Sequence, residues 1–407
     1  MPDVRDSIEG VKGFRAVGVR SGIKKSGALD FALIVSDRPC AVGGVFTTSQ
    51  VKAAPVLVDM ERLKTNAGGI RAVVTNSGCA NACTGQQGID NAERTAQLAA
   101  EKIGCDAQDV LVLSTGVIGS QLPMDRIAQG IQLAADAADD NWLLAAQAIM
   151  TTDTRPKLAS IEVTTSSGQT YRIAGIAKGA GMIAPNMATM LSIVVTDAGL
   201  LPEQAQAMLQ AASNISYNCI VIDGDTSTND TVFLLANGAS GVSIESTADC
   251  DQFQQALNAV CTKLAQDIVR DGEGVTKFIT VRVEGAPDNA AARKIANTIA
   301  ISPLVKTAFY GNDANWGRIL MAAGRAGVVF DQMKINLWLA PGESFDNPLQ
   351  LVAYGMPLDY GEENATAIIS QPSVAVLLDC GAGDGAATVW TCDLSHEYVS
   401  INADYRT

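Results

Sequence analysis

Short β-type runs and helix-type periodicities alternate along this chain without settling into a regular strand–helix–strand rhythm. That irregularity limits the folds open to it more than any other feature. Residues 161–176, IEVTTSSGQTYRIAGI, read as a hairpin whose Ser-Gly turn joins two alternating halves. Further strands are expected at FALIVSD from Phe31, AVVTN from Ala72 and VLVL from Val110, and at LSIVVTD, CIVID, TVFLLA, FITVRV, INLWL and VAVLLD. The strongest helix pattern covers 251–269, where Phe253, Ala256, Leu257, Val260, Cys261, Leu264, Ala265 and Ile268 recur at helical intervals. A second follows Pro202, with Ala205, Met208, Leu209 and Ala212 on one face. Others are expected over 91–103, 124–150 with a break, and 289–299. Hairpins and consecutive strands interrupt the alternation that a doubly wound dinucleotide fold requires, so that fold is disfavoured. The expected class is α/β, with sheets packed between helix layers.

Composition permits such layers. Hydrophobic residues make up 47% of the 407 and charged residues only 18%, enough to bury large aliphatic cores. The net charge of −14 argues against nucleic acid and anionic membranes as partners. No apolar run approaches the roughly 18 to 20 residues of a membrane helix, and the opening MPDVRDSIEG has no signal-peptide core. Nine cysteines without a CxxC pair suggest reduced thiols and a cytoplasmic setting. Cys79 and Cys83 lie four apart in NSGCANACTG, but no second pair or His cluster completes a metal site. Small buried packing residues are the expectation there, and no metal is expected.

The chain has a single histidine, His396, so HExxH zinc chemistry is excluded and any Ser-His-Asp triad would rest on that residue alone. It lies in DLSHEYVSIN, read as a terminal strand with His396 on its polar face. No GxGxxG opens a helix after a strand, and GAGDGAATV near Gly381 lacks both that spacing and a phosphate-loop lysine.

The most informative stretch is residues 178–197, KGAGMIAPNMATMLSIVVTD. A glycine-rich turn and a Pro-bearing loop run straight into an apolar strand, and Thr189 stands where loop becomes strand. Pro185 disfavours helix at Ala184. On spacing alone, a loop with a β-compatible threonine accounts for all of this.

KGAGMIAPNMATML resembles the signature of the glutamate N-acetyltransferase (ornithine acetyltransferase) family, whose precursor cuts itself before the Thr of the ATML segment. The likeness extends over essentially the whole chain. GVKGFRAVGVRSGIKKSGALDFALIVSD, NSGCANACTG, VLSTGVIG, MTTDT, IDGDTSTNDT, DGEGVTKF, YGNDANWGRI and INADYRT resemble family blocks in the expected order. The resemblance implies a layered αββα sandwich, self-cleaving and N-terminal-nucleophile-like, with an α chain of residues 1–188 and a β chain of 189–407. It implies an α2β2 assembly and acetyl transfer from N2-acetyl-L-ornithine to L-glutamate in arginine biosynthesis. No cofactor is required, and acetyl-CoA stays open as a further donor.

The chemistry stands beside the likeness. A threonine hydroxyl is a weak nucleophile without a neighbouring base, and no spare histidine exists. Scission between Ala188 and Thr189 would free an α-amino group of reference pKa about 7.7 to 8, able to take the Thr189 proton near neutral pH. By the family match, Thr115 and Gly116 of VLVLSTGVIGS form the oxyanion hole. Thr152, Lys178, Thr189, Glu273, Asn402 and Thr407 bind substrate. Thr151 and Thr154 flank Thr152, which leaves that choice open by a position. Lys178 suits a carboxylate and Glu273 an ammonium. Asp223, Asp225 and Asp230 in IDGDTSTNDT depart from EF-hand spacing and read as a hydrogen-bonded turn packed near the site. Two other readings remain: an aminopeptidase or amidase of related fold, passing the acyl group to water, and a non-catalytic binding protein.

Overall fold

The computed structural model describes residues 3–184 and 190–403. In chain order the elements begin with β1 (Phe14–Val19), β2 (Phe31–Phe46), α1 (Ala54–Asn66), β3 (Ile70–Cys79), α2 (Gly85–Ile103) and β4 (Val110–Val117). Then come α3 (Met124–Ala137), α4 (Trp142–Ala148), β5 (Lys157–Thr164), β6 (Thr170–Lys178), β7 (Leu191–Thr196), α5 (Pro202–Ile215), β8 (Ile220–Val221) and β9 (Thr231–Ala236). The remainder are α6 (Thr247–Arg270), β10 (Phe278–Ala286), α7 (Asn289–Ala300), α8 (Pro303–Tyr310), α9 (Trp316–Gly324), β11 (Asn336–Pro341) and β12 (Leu349–Ala353), followed by β13 (Met356–Pro357), α10 (Glu362–Ile369), β14 (Ser373–Asp379), β15 (Gly385–Cys392) and α11 (His396–Ala403). Among the described residues no helix is long and apolar enough to cross a membrane.

The chain forms two compact units, each α/β with a mixed sheet. The first comprises residues 1–182, 186–218 and 226–268. Its sheet runs β4-β3-β2-β9-β7-β6-β5, with β1 paired to the first half of β2. A register shift between Val35 and Cys40 lets the 16-residue β2 pair with β3 and then with β9. The pairs β3/β4 and β7/β9 are parallel, and the others antiparallel.

Both faces of this sheet are covered, as alternate residues of single strands show. Phe31, Leu33 and Val35 of β2 join one core with Ala96 and Ala99 of α2 and Ile127 and Ile131 of α3. Ala32 and Ile34 join the other, with Trp142 and Ala145 of α4. Two-sided burial explains why the strands read as nearly continuous apolar runs. The strand order also matters. β7 and β9, from beyond residue 188, lie between β2 and β6, from before it.

The second unit comprises residues 183–185, 219–225 and 269–407, with the sheet order β13-β12-β11-β14-β10-β15-β8. Val281 and Val283 of β10, Val376 and Leu378 of β14 and Val389 of β15 pack with Ile295 and Ile299 of α7.

Two local expectations are corrected here. His396 opens a helix, α11, and does not lie in a strand. Alternation within DLSHEYVSIN did not decide between the two, and the Ser395 hydroxyl, which accepts the Tyr398 N–H at 3.4 Å, favours the helical turn. Cys83 is exposed, at φ 56°, whereas Cys79 is buried as expected.

Candidate functional site

In the first unit, the ends of β3 and β4 form a rigid corner. The strands run in parallel with Ser77 beside Thr115 and Gly78 beside Gly116, then slip register at Cys79. The Ser114 hydroxyl donates to Asn76 Oδ1 at 2.6 Å, and Asn229 Nδ2 donates to the Ala80 and Ser114 carbonyls at 2.7 and 2.8 Å. Gly116 has φ 131°, and a Cβ there would stand 2.4 Å from the Gly78 carbonyl carbon. Only glycine fits that backbone and that approach. Thr115 is buried beside it. The corner thus offers a hydroxyl and a backbone N–H on a strand end whose geometry is already fixed, the kind of preorganised donor pair that a developing oxyanion needs.

A buried charge cluster lies at the end of β6. Lys178, its last residue, pairs with Leu191 of β7 and is 2% exposed. Asp153 Oδ1 accepts the Lys157 ammonium and the Gly179 N–H, both at 2.7 Å, and its Oδ2 accepts the Thr151 N–H at 2.9 Å. Burial alone would push this carboxyl up. The Lys178 and Lys157 charges and these donors outweigh burial and hold it down at about 2. Lys24 donates to the Leu29 and Met150 carbonyls at 2.8 Å each. Burial brings its ammonium down to about 8, with Lys178 adding to the effect and Asp30 and Asp153 opposing it. Thr152 is half-buried, and Thr154 is exposed.

Asp230, on the turn into β9, is fully buried. Its Oδ1 accepts the Met190 N–H at 2.9 Å, and Oδ2 has no hydrogen-bond partner among the described residues. Burial raises its carboxyl well above the ordinary range, and the Met190 amide and the Lys178 charge recover only part of that.

In the second unit, Glu273 and Asn402 come together, with Asn402 Nδ2 donating to Glu273 Oε2 at 2.7 Å and to the Tyr398 carbonyl at 3.0 Å. Gly274 follows at φ 68°, where a Cβ would meet Ser395 Oγ at 2.6 Å. Asp393 fixes the same loop by accepting the Thr276 and Lys277 N–H groups at 2.9 Å each and the Thr276 hydroxyl. The Tyr398 hydroxyl donates to Asp223 Oδ2 at 3.2 Å, and burial raises its phenol above the usual value, with Asp223 adding to the shift.

Of the residues expected to act, Thr115, Gly116, Thr152 and Lys178 belong to the first unit, and Glu273 and Asn402 form a pair in the second. Ala188, Thr189 and Thr407 lie outside the described residues. Sequence reasoning passed over Asp153, although it sits inside MTTDT, and over the role of Asn229 in tying down Ser114. An acid four residues before Lys157 was the available signal for the first. Nothing local signalled the second.

The sequence model of the ArgJ family matches residues 15–407. The arginine biosynthesis bifunctional protein ArgJ of Geobacter sulfurreducens is 50% identical over 400 residues, covering 98% of this chain and 100% of that protein. The mitochondrial protein of the same name from Schizosaccharomyces japonicus is 46% identical over 407 residues, covering 97% and 93%. Among solved structures, the arginine biosynthesis bifunctional protein ArgJ of Bacillus halodurans is 39% identical, covers 53% of this chain and 99% of its own, and has a TM-score of 0.49.

Proposed function

The chain belongs to the ArgJ family, and from that premise we propose that it is an acyltransferase of arginine biosynthesis, carrying acetyl from N2-acetyl-L-ornithine to L-glutamate. The match along residues 15–407 carries this reading.

In it, the Thr189 hydroxyl attacks the Ala188 carbonyl, the acyl group shifts from nitrogen to oxygen, and water cleaves the ester. The pieces are then residues 1–188 and 189–407. The interleaving of β7 and β9 between β2 and β6 supports their lasting association, because the sheet ladder depends on no link at residue 188. The freed α-amino group takes the Thr189 proton as the hydroxyl attacks the acetyl carbonyl, and returns it to the departing ornithine amine. Thr115 and Gly116 stabilise the oxyanion, a role suited to the rigid strand end that carries them. Glutamate then takes the acetyl group from the ester through its own amine. An amide is exchanged for a similar amide, so neither ATP nor a cofactor is needed, provided water is kept from the ester. Lys178 meets the α-carboxylate that both substrates share, and Glu273 meets the ornithine ammonium, with Thr152, Asn402 and Thr407 completing the contacts. Acetyl-CoA is a candidate second donor. An α2β2 assembly in the cytoplasm completes the proposal.

Intact-mass measurement of the purified chain, before and after N2-acetyl-L-ornithine, tests it. Two pieces are expected, with one acetyl group added to the piece that begins at Thr189. Thr189→Ala should block scission and reduce transfer by on the order of 10^3 or more. Ornithine release at a rate indifferent to glutamate would instead support the hydrolase reading. Absence of any acetyl-enzyme would favour a binding protein.

A further inference from the structure

The block IDGDTSTNDT grips the residues on either side of segment 184–189, once in each unit. In the second unit Asp223 Oδ1 accepts the Ile183 N–H at 2.9 Å, while the Ile222 and Gly224 N–H groups donate to the Ile183 carbonyl at 2.8 and 3.4 Å. In the first, Asp230 Oδ1 accepts the Met190 N–H at 2.9 Å, and the Thr231 N–H donates to the Met190 carbonyl at 3.2 Å. Both polar groups of Met190 are therefore fixed.

Met190 precedes Leu191, which pairs in parallel with Thr231, so Asp230 lies beside it in register and supplies with its side chain the acceptor for the Met190 N–H. A plain ladder cap needs a single acceptor. Asp230 instead buries a whole carboxyl group, with Oδ2 left without a partner among the described residues. Such an arrangement is costly unless the second oxygen serves a purpose.

We infer that Asp230 is a positioning residue for the nucleophile at position 189, acting through the Met190 amide; this rests on the function proposed above. Peptide planarity supplies the link. The bond joining residue 189 to Met190 has its six atoms in one plane, so fixing the Met190 N–H restrains the preceding carbonyl and Cα. After scission that bond is the only covalent tether of residue 189. A restraint there acts on both self-cleavage and acetyl transfer, and misplacement by about 1 Å costs on the order of a hundredfold in rate. The acid works in its neutral form, consistent with its raised pKa: Oδ1 accepts, and Oδ2–H is a donor at the foot of the same strand.

Asparagine reproduces both an acceptor and a donor, and leucine neither. In the full-length chain, Asp230→Leu is expected to slow scission and lower kcat by about a hundredfold, with KM for both substrates changing by less than about threefold. Asp230→Asn is expected to restore most of both rates. Circular dichroism and thermal melting check the fold, and Asp230→Ser, too short to reach the Met190 amide, replaces the leucine variant if that one fails to fold. Wild-type scission and turnover in Asp230→Leu or Asp230→Ser would overturn the inference, as would a loss confined to KM. So would an Asp230→Asn as impaired as Asp230→Leu, which would point to an ionised acid. Thr189→Ala separates the two levels. If that variant is still cut and active, the proposed nucleophile falls; if it is dead while Asp230→Leu is normal, only Asp230 falls.

Discussion

Asp153 and Asp230 are both buried carboxyls of the first unit, and both feel the charge of Lys178, yet they are driven in opposite directions. Asp153 receives Lys157, the Gly179 N–H and the Thr151 N–H, and is held near the bottom of the carboxylate range. Asp230 receives the Met190 N–H on Oδ1, with smaller help from the Ser227 amide and the Thr47 hydroxyl, and burial prevails. Depth alone therefore does not set charge state. What sets it is whether the donors and cations that reach both oxygens replace the water lost on folding. One acid, beside the lysines it organises, is driven toward its anion; the other, which holds an amide, is driven toward its neutral form.

The largest effect expected from this contrast comes from Asp153→Ala. Removing the anion leaves the Lys157 ammonium buried without its carboxylate, and denaturant unfolding should show a loss of about 3 to 5 kcal/mol. A loss no greater than that of Asp230→Asn would break the comparison. Next comes acid sensitivity. Because the folded-state pKa of Asp153 is depressed to about 2, the stability it contributes is complete above pH 3.8 and disappears as pH falls through about 2, roughly 2 kcal/mol in all. Unfolding curves between pH 5 and 2 read it, and Asp153→Asn should flatten that limb.

Gly116→Ala should cost about 1 to 3 kcal/mol through backbone strain, with a kcat loss that stability alone does not account for. Thermal melting alongside steady-state kinetics separates the two. The smallest effect is that of Asp230→Asn, about 1 kcal/mol or less at a pH below the ordinary carboxylate value, where the wild-type acid is protonated in both states. Its pH profile is sharper than its size. Since the folded pKa of Asp230 is raised, its contribution is complete below 3.8 and wanes as pH climbs through the folded value. Asparagine should remove that decline, and a variant that declines like the wild type would show that Asp230 is already ionised.

Much of the fold was legible because burial on one or both faces writes itself into spacing. The pattern over 251–269 became α6, residues 161–176 fell within the β5/β6 hairpin, and the break expected within 124–150 separates α3 from α4. Elements shaped by their neighbours were missed. β15 contains GAATVWTC, which reads as a glycine loop until β10 and β8 pair with it on either side. α1 begins at an unremarkable Ala-Pro and presents mixed polarity, and α8, α9 and α10 are too short for a clear period. The site divides in the same way. Thr115, Gly116, Lys178 and Glu273 came from resemblance carried by contiguous blocks. Asp153 and Asp230 meet partners 25 and 40 positions away, Lys178 and Met190, and only the folded sheet reveals that pairing.

The strand order of the first unit has a bearing on how the protein ages. With the cut proposed before residue 189, two strands of one fragment would be woven between strands of the other, so folding would have to precede scission. Recovery of the cut protein after denaturation would then be a second-order event, slower the more dilute the solution, whereas the uncut precursor would refold at a speed independent of concentration. The weave that would keep the halves together in the native state would also withdraw the easy way back to it.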